Sequence, residues 1–189
     1  ECAAAGSMSF TETILFFDKK PADEGIRDTI IFFNDDEKYY YQTSQNFCDY
    51  RSAVICFPNN FGYDDYDEGV IRATFIANFE KWNELDRANY LLKKKEVREQ
   101  SLALIAKLFP GFNARLLYSD VFTPRTIMRY TGHIKGAVYG STQKVRDGRT
   151  AFKNLFICGT DQGFLGIVGA MLSGISMANL HCLMNGDKA

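Results

Sequence analysis

Between Val70 and Phe79 the chain alternates strictly: Ile71, Ala73, Phe75, Ala77 and Phe79 are apolar, while Arg72, Thr74, Ile76 and Asn78 between them are mostly polar. Successive side chains of an extended chain point to opposite faces, so this stretch predicts a half-buried antiparallel strand. Three further β-branched and aromatic runs precede it, at 11–17, 28–33 and 52–57. Turn formers such as Pro21-Ala22-Asp23-Glu24-Gly25 and Pro58-Asn59-Asn60 separate them. Four strands broken in this way predict an antiparallel or mixed sheet.

The period changes after Asp86. Val97, Ser101, Leu104, Ile105 and Leu108 share one face of a helix predicted over 86–109, which Phe109-Pro110-Gly111 would end because Pro110 restricts its predecessor and Gly111 permits the turn. Lys93-Lys94-Lys95 spread around that helix and read as a solvated face. Next come a strand near 114–120, a short element opening at Thr123-Pro124, a glycine-punctuated loop over 131–141, a strand over 154–158 and a final helix. The expected class is α+β, with a change of architecture near residue 135.

Composition narrows the function. Of 189 residues, 46% are apolar and 24% charged, as in a globular protein. Twenty-two Lys and Arg against 23 Asp and Glu leave a formal charge of −1, so no general field draws nucleic acid. The cysteines at 2, 48, 56, 158 and 182 form no CxxC, and His133 and His181 lack metal-ligand spacing. These read as reduced thiols in a cytoplasmic compartment, with no metal site expected. No charged residue lies between Asp161 and Asp187, a stretch long enough for the ~20 residues that a bilayer span needs. Gln162, Ser173, Ser176, Asn179, His181, Asn185 and four glycines dilute its apolarity. A helix buried within a soluble protein is the expectation.

The most informative run is 154–170, Asn-Leu-Phe-Ile-Cys-Gly-Thr-Asp-Gln-Gly-Phe-Leu-Gly-Ile-Val-Gly-Ala. It reads as a buried strand feeding a glycine turn that opens a long helix, whose free N–H groups favour an electron-rich ligand. Gly166, Ala170, Gly174 and Ala178 recur every fourth residue, leaving one face without bulk. Tight packing on a sheet, a membrane helix pair and a nucleotide or flavin site all fit that stripe. The run is not GxGxxG, and a lone glycine turn is weak by itself.

The segment from Gly159-Thr160-Asp161 through Gly166-Ile167-Val168-Gly169-Ala170-Met171-Leu172-Ser173-Gly174 resembles the C-terminal flavin-binding motif of the phytoene desaturase, carotenoid isomerase and retinol saturase family of FAD-dependent oxidoreductases. Upstream, Thr123-Pro124-Arg125-Thr126 and Gly136-Ala137-Val138-Tyr139-Gly140 look like that family's approach to the flavin. The resemblance covers about residues 115–180 closely and the strand-rich first half loosely. It implies that residues 1–135 are part of a substrate-binding domain, and that 136–189 carry the C-terminal strand and helix of a Rossmann-like FAD domain. The dinucleotide-binding N-terminal part of such an enzyme would then lie outside this sequence, since no GxGxxG follows an early strand.

By the same resemblance, Asp161 would accept hydrogen bonds from the ribityl or pyrophosphate region, and Gly159 would allow close backbone approach. Gly166, Ile167, Val168 and Gly169 would present a helix N-terminus to the pyrimidine edge of the ring, and Tyr139 with Gly140 would border it. The implied reaction passes hydride between the flavin and a hydrophobic isoprenoid polyene, desaturating or saturating it, with peripheral membrane contact by the whole enzyme. A flavin-dependent cis-trans isomerase and a non-catalytic module without cofactor are the alternatives. The desaturases have Pro-Gly where this chain has Gly163-Phe164-Leu165-Gly166, which is closer to the retinol saturase side and leaves the reaction direction open. Because the flavin would carry the hard step, no acid or base is required of the protein. His133 reads as a structural hydrogen-bonding residue, Phe75 and Phe79 as core, and Trp82 as core or the lining of an apolar tunnel.

Overall fold

The computed structural model describes residues 6–39, 42–62 and 67–183. These fall into two compact units, one of residues 7–136 and the other containing Gly6 and the chain from Ala137 onward. Cys2 and Asn185 lie outside the described residues.

The first unit is an α+β layer built on a five-stranded sheet. Its strands are β1 (Ser9–Phe17), β2 (Ile30–Asn34), β3 (Ser52–Cys56), β4 (Gly69–Ala77) and β5 (Leu116–Phe122), in the order β2-β3-β4-β1-β5. Every pairing is antiparallel. The alternation in β4 works as expected: Ile71, Ala73, Phe75 and Ala77 are buried with Leu15 and Ile55 in the core. Phe79 departs from that strand. Asn78 interrupts the alternation by accepting the backbone N–H of Lys81 at 3.1 Å, which caps α1 (Phe79–Asn83) and turns Phe79 and Trp82 into the core from a helix.

The long helix α2 (Arg87–Leu108) starts where the Asp86 carboxylate accepts the Asn89 N–H at 2.8 Å. Val97, Ser101, Leu104 and Ile105 form its buried face, as their spacing requires. The Ser101 hydroxyl sits 2.7 Å from the Thr13 hydroxyl of β1 and 2.8 Å from the Val97 carbonyl, so neither buried hydroxyl is left unpaired. The three lysines pair separately, Lys93 with Glu96, Lys94 with Asp120 and Lys95 with Glu99; Lys95 is exposed, while Lys93 and Lys94 are half-buried and Lys93 lies over the Phe47 ring. A last helix, α3 (Pro124–Thr131), begins with a reciprocal cap between Thr123 and Thr126.

Cys48 lies buried at the end of this sheet, its sulfur 3.2 Å from the Thr11 hydroxyl, and burial pushes its thiol up to about 11. Thiolate is the reactive form, so iodoacetamide at pH 8 is expected to modify the exposed Cys158 and Cys182 in the native chain and to reach Cys48 only after denaturation. Equal labelling rates by mass spectrometry would show that this end of the sheet opens.

The second unit differs from its expected form in two respects. Residues 154–158 make no strand; they contribute one isolated bridge between Arg149 and Phe156, and Leu155 is exposed. A strand needs a neighbour to take its N–H and C=O groups, and no strand among the described residues of this unit offers one. No Rossmann-like layer forms among those residues. The closing helix α4 (Gly166–Ala178), extended by a wider turn over Asn179–Leu183, is exposed rather than buried. Only Ser173 and Met177 of α4 are buried, while Ile167, Val168, Met171, Leu172 and Ile175 face solvent. The cause is the same: no sheet among the described residues of its own unit covers it. Gly166–Leu183, with mean hydropathy 1.4 and 11% of its residues buried, is long and apolar enough to cross a membrane by length and composition.

Candidate functional site

The expected flavin-proximal residues belong to the second unit, where two loops are clasped together. Asp161 is the centre. Its Oδ1 accepts the Ser141 N–H at 2.6 Å, and its backbone carbonyl accepts the Val145 N–H at 2.9 Å. Lys144 closes the clasp from the other side, its Nζ donating to the carbonyls of Tyr139 at 2.5 Å and Thr160 at 2.9 Å. The segments carrying Tyr139-Gly140 and Gly159-Thr160-Asp161, nearly twenty residues apart in the chain, are thereby held side by side.

Backbone geometry explains the residue types. Tyr139 and Gly140 have φ of 65° and 66°, both left-handed. For tyrosine this costs roughly 1–3 kcal/mol and persists only when its surroundings enforce it. The Lys144 bond to the Tyr139 carbonyl and the Asp161 bond just beyond Gly140 supply that enforcement. A Cβ on Gly140 would run into the Asp161 carboxylate, so glycine is needed there for room as well as for φ.

Gly159, with φ of 84°, does not open the helix. It lies beside the middle of α4, where its N–H donates to the Ser173 hydroxyl at 2.6 Å. The Ser173 hydroxyl in turn donates to Oε1 of Gln162, whose Nε2 donates to the Arg146 carbonyl at 2.8 Å. Both Ser173 and Gln162 are buried, and this chain of bonds docks α4 on its loops. Sequence reasoning took these two as interruptions of an apolar run and passed over Lys144 altogether. The available signal was uncharged polar side chains within a segment otherwise free of charge.

The helix N-terminus begins at Gly166, as expected, after Gly163-Phe164-Leu165. Leu165 occupies the capping position and offers no side-chain acceptor, so the N–H groups of Gly166, Ile167 and Val168 have no side-chain cap, whereas that of Gly169 is taken by the Leu165 carbonyl in the first turn of the helix. Ile167 is 91% exposed. This set of donors fits the carbonyl-bearing edge of a flavin ring. Asp161 fits it less freely: Oδ1 serves Ser141, leaving Oδ2 as the oxygen for any outside donor. Asp161 does not cap α4 either.

The small-residue stripe meets the loop at Ala170, beside Gly159, but is open at Gly166 and Gly174. A side chain at Gly166 or Gly174 would meet nothing within 4 Å, so tight packing on a sheet does not account for it here. The upstream run Thr123-Pro124-Arg125-Thr126 is used internally in the first unit: Thr123 caps α3 and meets the Tyr90 hydroxyl at 2.9 Å, and Arg125 donates to the Leu85 carbonyl at 3.0 Å. His133 is exposed in that unit, its backbone N–H on the Thr131 hydroxyl. His181 stacks on Phe156 with ring centroids 4.0 Å apart, and its Nε2 lies 2.7 Å from the Asp147 carbonyl. Among the described residues no cluster of His, Cys, Asp or Glu is arranged to hold a metal ion.

Neither a protein-family model nor a curated protein matches this chain.

Proposed function

We propose that the chain supplies part of a substrate-binding domain and the terminal part of an FAD domain in an oxidoreductase that desaturates or saturates an isoprenoid polyene. The observation that carries this reading is the clasp. Two sequence segments, each resembling a flavin-adjacent motif of the same family, are brought together through Asp161 and Lys144. When bound, FAD would take or give the hydride at a polyene carbon.

The roles of the protein groups follow from their chemistry. The first-turn N–H groups at 166–168 would orient the flavin's electron-rich edge and stabilise charge growing there. Asp161 Oδ2 would accept a hydroxyl of the ribityl chain, and the strained Tyr139-Gly140 turn would border the ring. The exposed apolar faces of α4 would pack against the dinucleotide-binding part of the complete enzyme and keep water from the reacting carbon. Such an enzyme would sit in the cytoplasm and touch a membrane peripherally to collect its substrate.

On this reading the 189-residue chain purifies without flavin, because the residues that hold the ADP half of FAD are not among its own. Absorbance near the flavin bands is expected to be absent even after incubation with excess FAD. Stoichiometric retention of FAD by this chain alone would overturn the proposed division of the cofactor site.

A further inference from the structure

The sheet ends in two unlike edges. At one of them the register of β5 on β1 shifts between Phe16 and Phe17, and the edge strand carries Asp120, which holds Lys94 at 3.0 Å. Irregular register and charge on an edge strand discourage pairing with other strands. The opposite edge, β2, has no such protection. From Thr29 to Asn34 it contains neither proline nor a charged residue, its register on β3 is unbroken, and Phe32 is 80% exposed.

Two bonds fix where the β2 backbone groups point. The Phe57 N–H donates to the Thr29 carbonyl at 2.9 Å, and the Asp35 N–H donates to the Arg51 carbonyl at 2.7 Å. In an antiparallel ladder the residues bonded to one neighbour recur at every second position, so Thr29, Ile31, Phe33 and Asp35 address β3. Ile30, Phe32 and Asn34 therefore turn their N–H and C=O groups to the open edge, where no strand among the described residues takes them. Donors and acceptors spaced in this way are satisfied together only by another extended backbone.

Side chains along β2 match a second copy of the same strand. Two copies related by a two-fold axis pair antiparallel, and register is set by the residue on the axis. With Ile31 there, Ile30 lies opposite the second copy's Phe32 and Phe32 opposite its Ile30, so both outward-bonding pairs are apolar. On the α2 side Ile31 meets Ile31, continuing the half-buried row of Ile31 and Phe33 over the core. At the strand ends the same register brings Asp28 to Asn34, and Arg27 to the exposed carboxylate of Asp35. Neighbouring registers lose this match. An axis at Phe32 sets Asp28 against Asp36, one at Phe33 sets Ile30 against Asp36, and one at Ile30 sets Asp28 against Phe32.

We infer that β2 is a dimerisation strand, through which two copies of this chain pair edge to edge about Ile31 and join their sheets into one. The inference does not depend on the flavin reading.

Sedimentation velocity of the full 189-residue chain at increasing micromolar concentrations is expected to show a reversible monomer–dimer equilibrium, because a single strand edge is small among specific interfaces. Phe32→Pro is the first variant. The N–H it removes points away from β3, so the sheet keeps its own bonds while each copy loses a donor to the other. Dimerisation should weaken by about tenfold or more with the far-UV circular dichroism unchanged. A charge exchange tests the register without proline: Ile30→Glu and Phe32→Lys are each expected to be monomeric alone and to form a mixed dimer when combined, since the introduced carboxylate and ammonium face each other only about Ile31. An unaltered chain that stays monomeric would overturn the assignment and leave this edge to a strand of a different protein. Undiminished dimerisation of folded Phe32→Pro, or charge variants that do not recover on mixing, would overturn it as well.

Discussion

On the proposed flavoenzyme reading, Asp161→Ala is expected to cost the complete protein most of its flavin. Removing the carboxylate deletes the acceptor of the Ser141 N–H together with Oδ2, the oxygen assigned to the cofactor. A hydrogen bond to a charged group contributes about 1.5–3 kcal/mol, so retention of FAD should fall by about tenfold or more. The strained Tyr139-Gly140 turn loses the restraint at Ser141 in the same step, while the Lys144 bond to the Tyr139 carbonyl stays. Asp161→Asn separates the two roles. Its amide oxygen still accepts from Ser141 and keeps the clasp, while its NH2 replaces the outward acceptor with a donor. If the carboxylate holds the cofactor, both variants lose flavin absorbance at equal protein concentration. If it holds only the loops, Asp161→Asn stays yellow. Undiminished flavin in both variants would remove Asp161 from the site.

The largest effect on stability is expected from Trp82→Ala. The indole is fully buried, meets Phe47 and Tyr90 edge-on at centroid distances of 5.7 and 5.8 Å, and donates Nε1–H to the Phe47 carbonyl at 3.1 Å. Truncation leaves a cavity and removes one of two donors to the Phe47 carbonyl, which still accepts the Asn78 N–H, a loss of about 3–5 kcal/mol dominated by the cavity. Folded domains are stable by roughly 5–15 kcal/mol, so the variant should be marginal. Urea unfolding followed by far-UV circular dichroism reads this as a lower midpoint; fluorescence cannot serve, because Trp82 is the only tryptophan. A loss below about 1 kcal/mol would show that the core closes over the gap.

These two residues sat differently in the sequence. Trp82 lies three residues past an alternating strand, where the sequence suits core packing and an apolar tunnel lining equally well; local pattern favours the core only for Phe75 and Phe79. The same local reasoning located β1 to β5 and the buried face of α2, because alternation by two and by three or four follows directly from backbone geometry. It misplaced the end of β4, where the Asn78 cap outweighed the continuing alternation through Phe79. Asp161 was singled out by resemblance, yet its bonds to Ser141 and Val145 join segments about twenty residues apart, and no local pattern encodes them. The roles of Lys144, Gln162 and Ser173 escaped for that reason.

The expected strand over 154–158 and the burial of α4 failed on a different principle. Strand propensity and apolarity state what a segment would do given partners; they do not supply the partners. In the second unit the backbone of 154–158 finds a single bridge, and α4 finds cover only along Ser173 and Met177. By itself, then, the sequence determined the periodic elements of the sheet unit, its α+β character and its near-neutral charge. Tertiary structure decided which strands became neighbours, that β2 took an open edge, that Tyr139-Gly140 lies beside Asp161, and that α4 keeps its apolar side chains in solvent. Periodicity is written into each backbone, whereas pairing and burial belong to whatever surface the rest of the chain brings alongside.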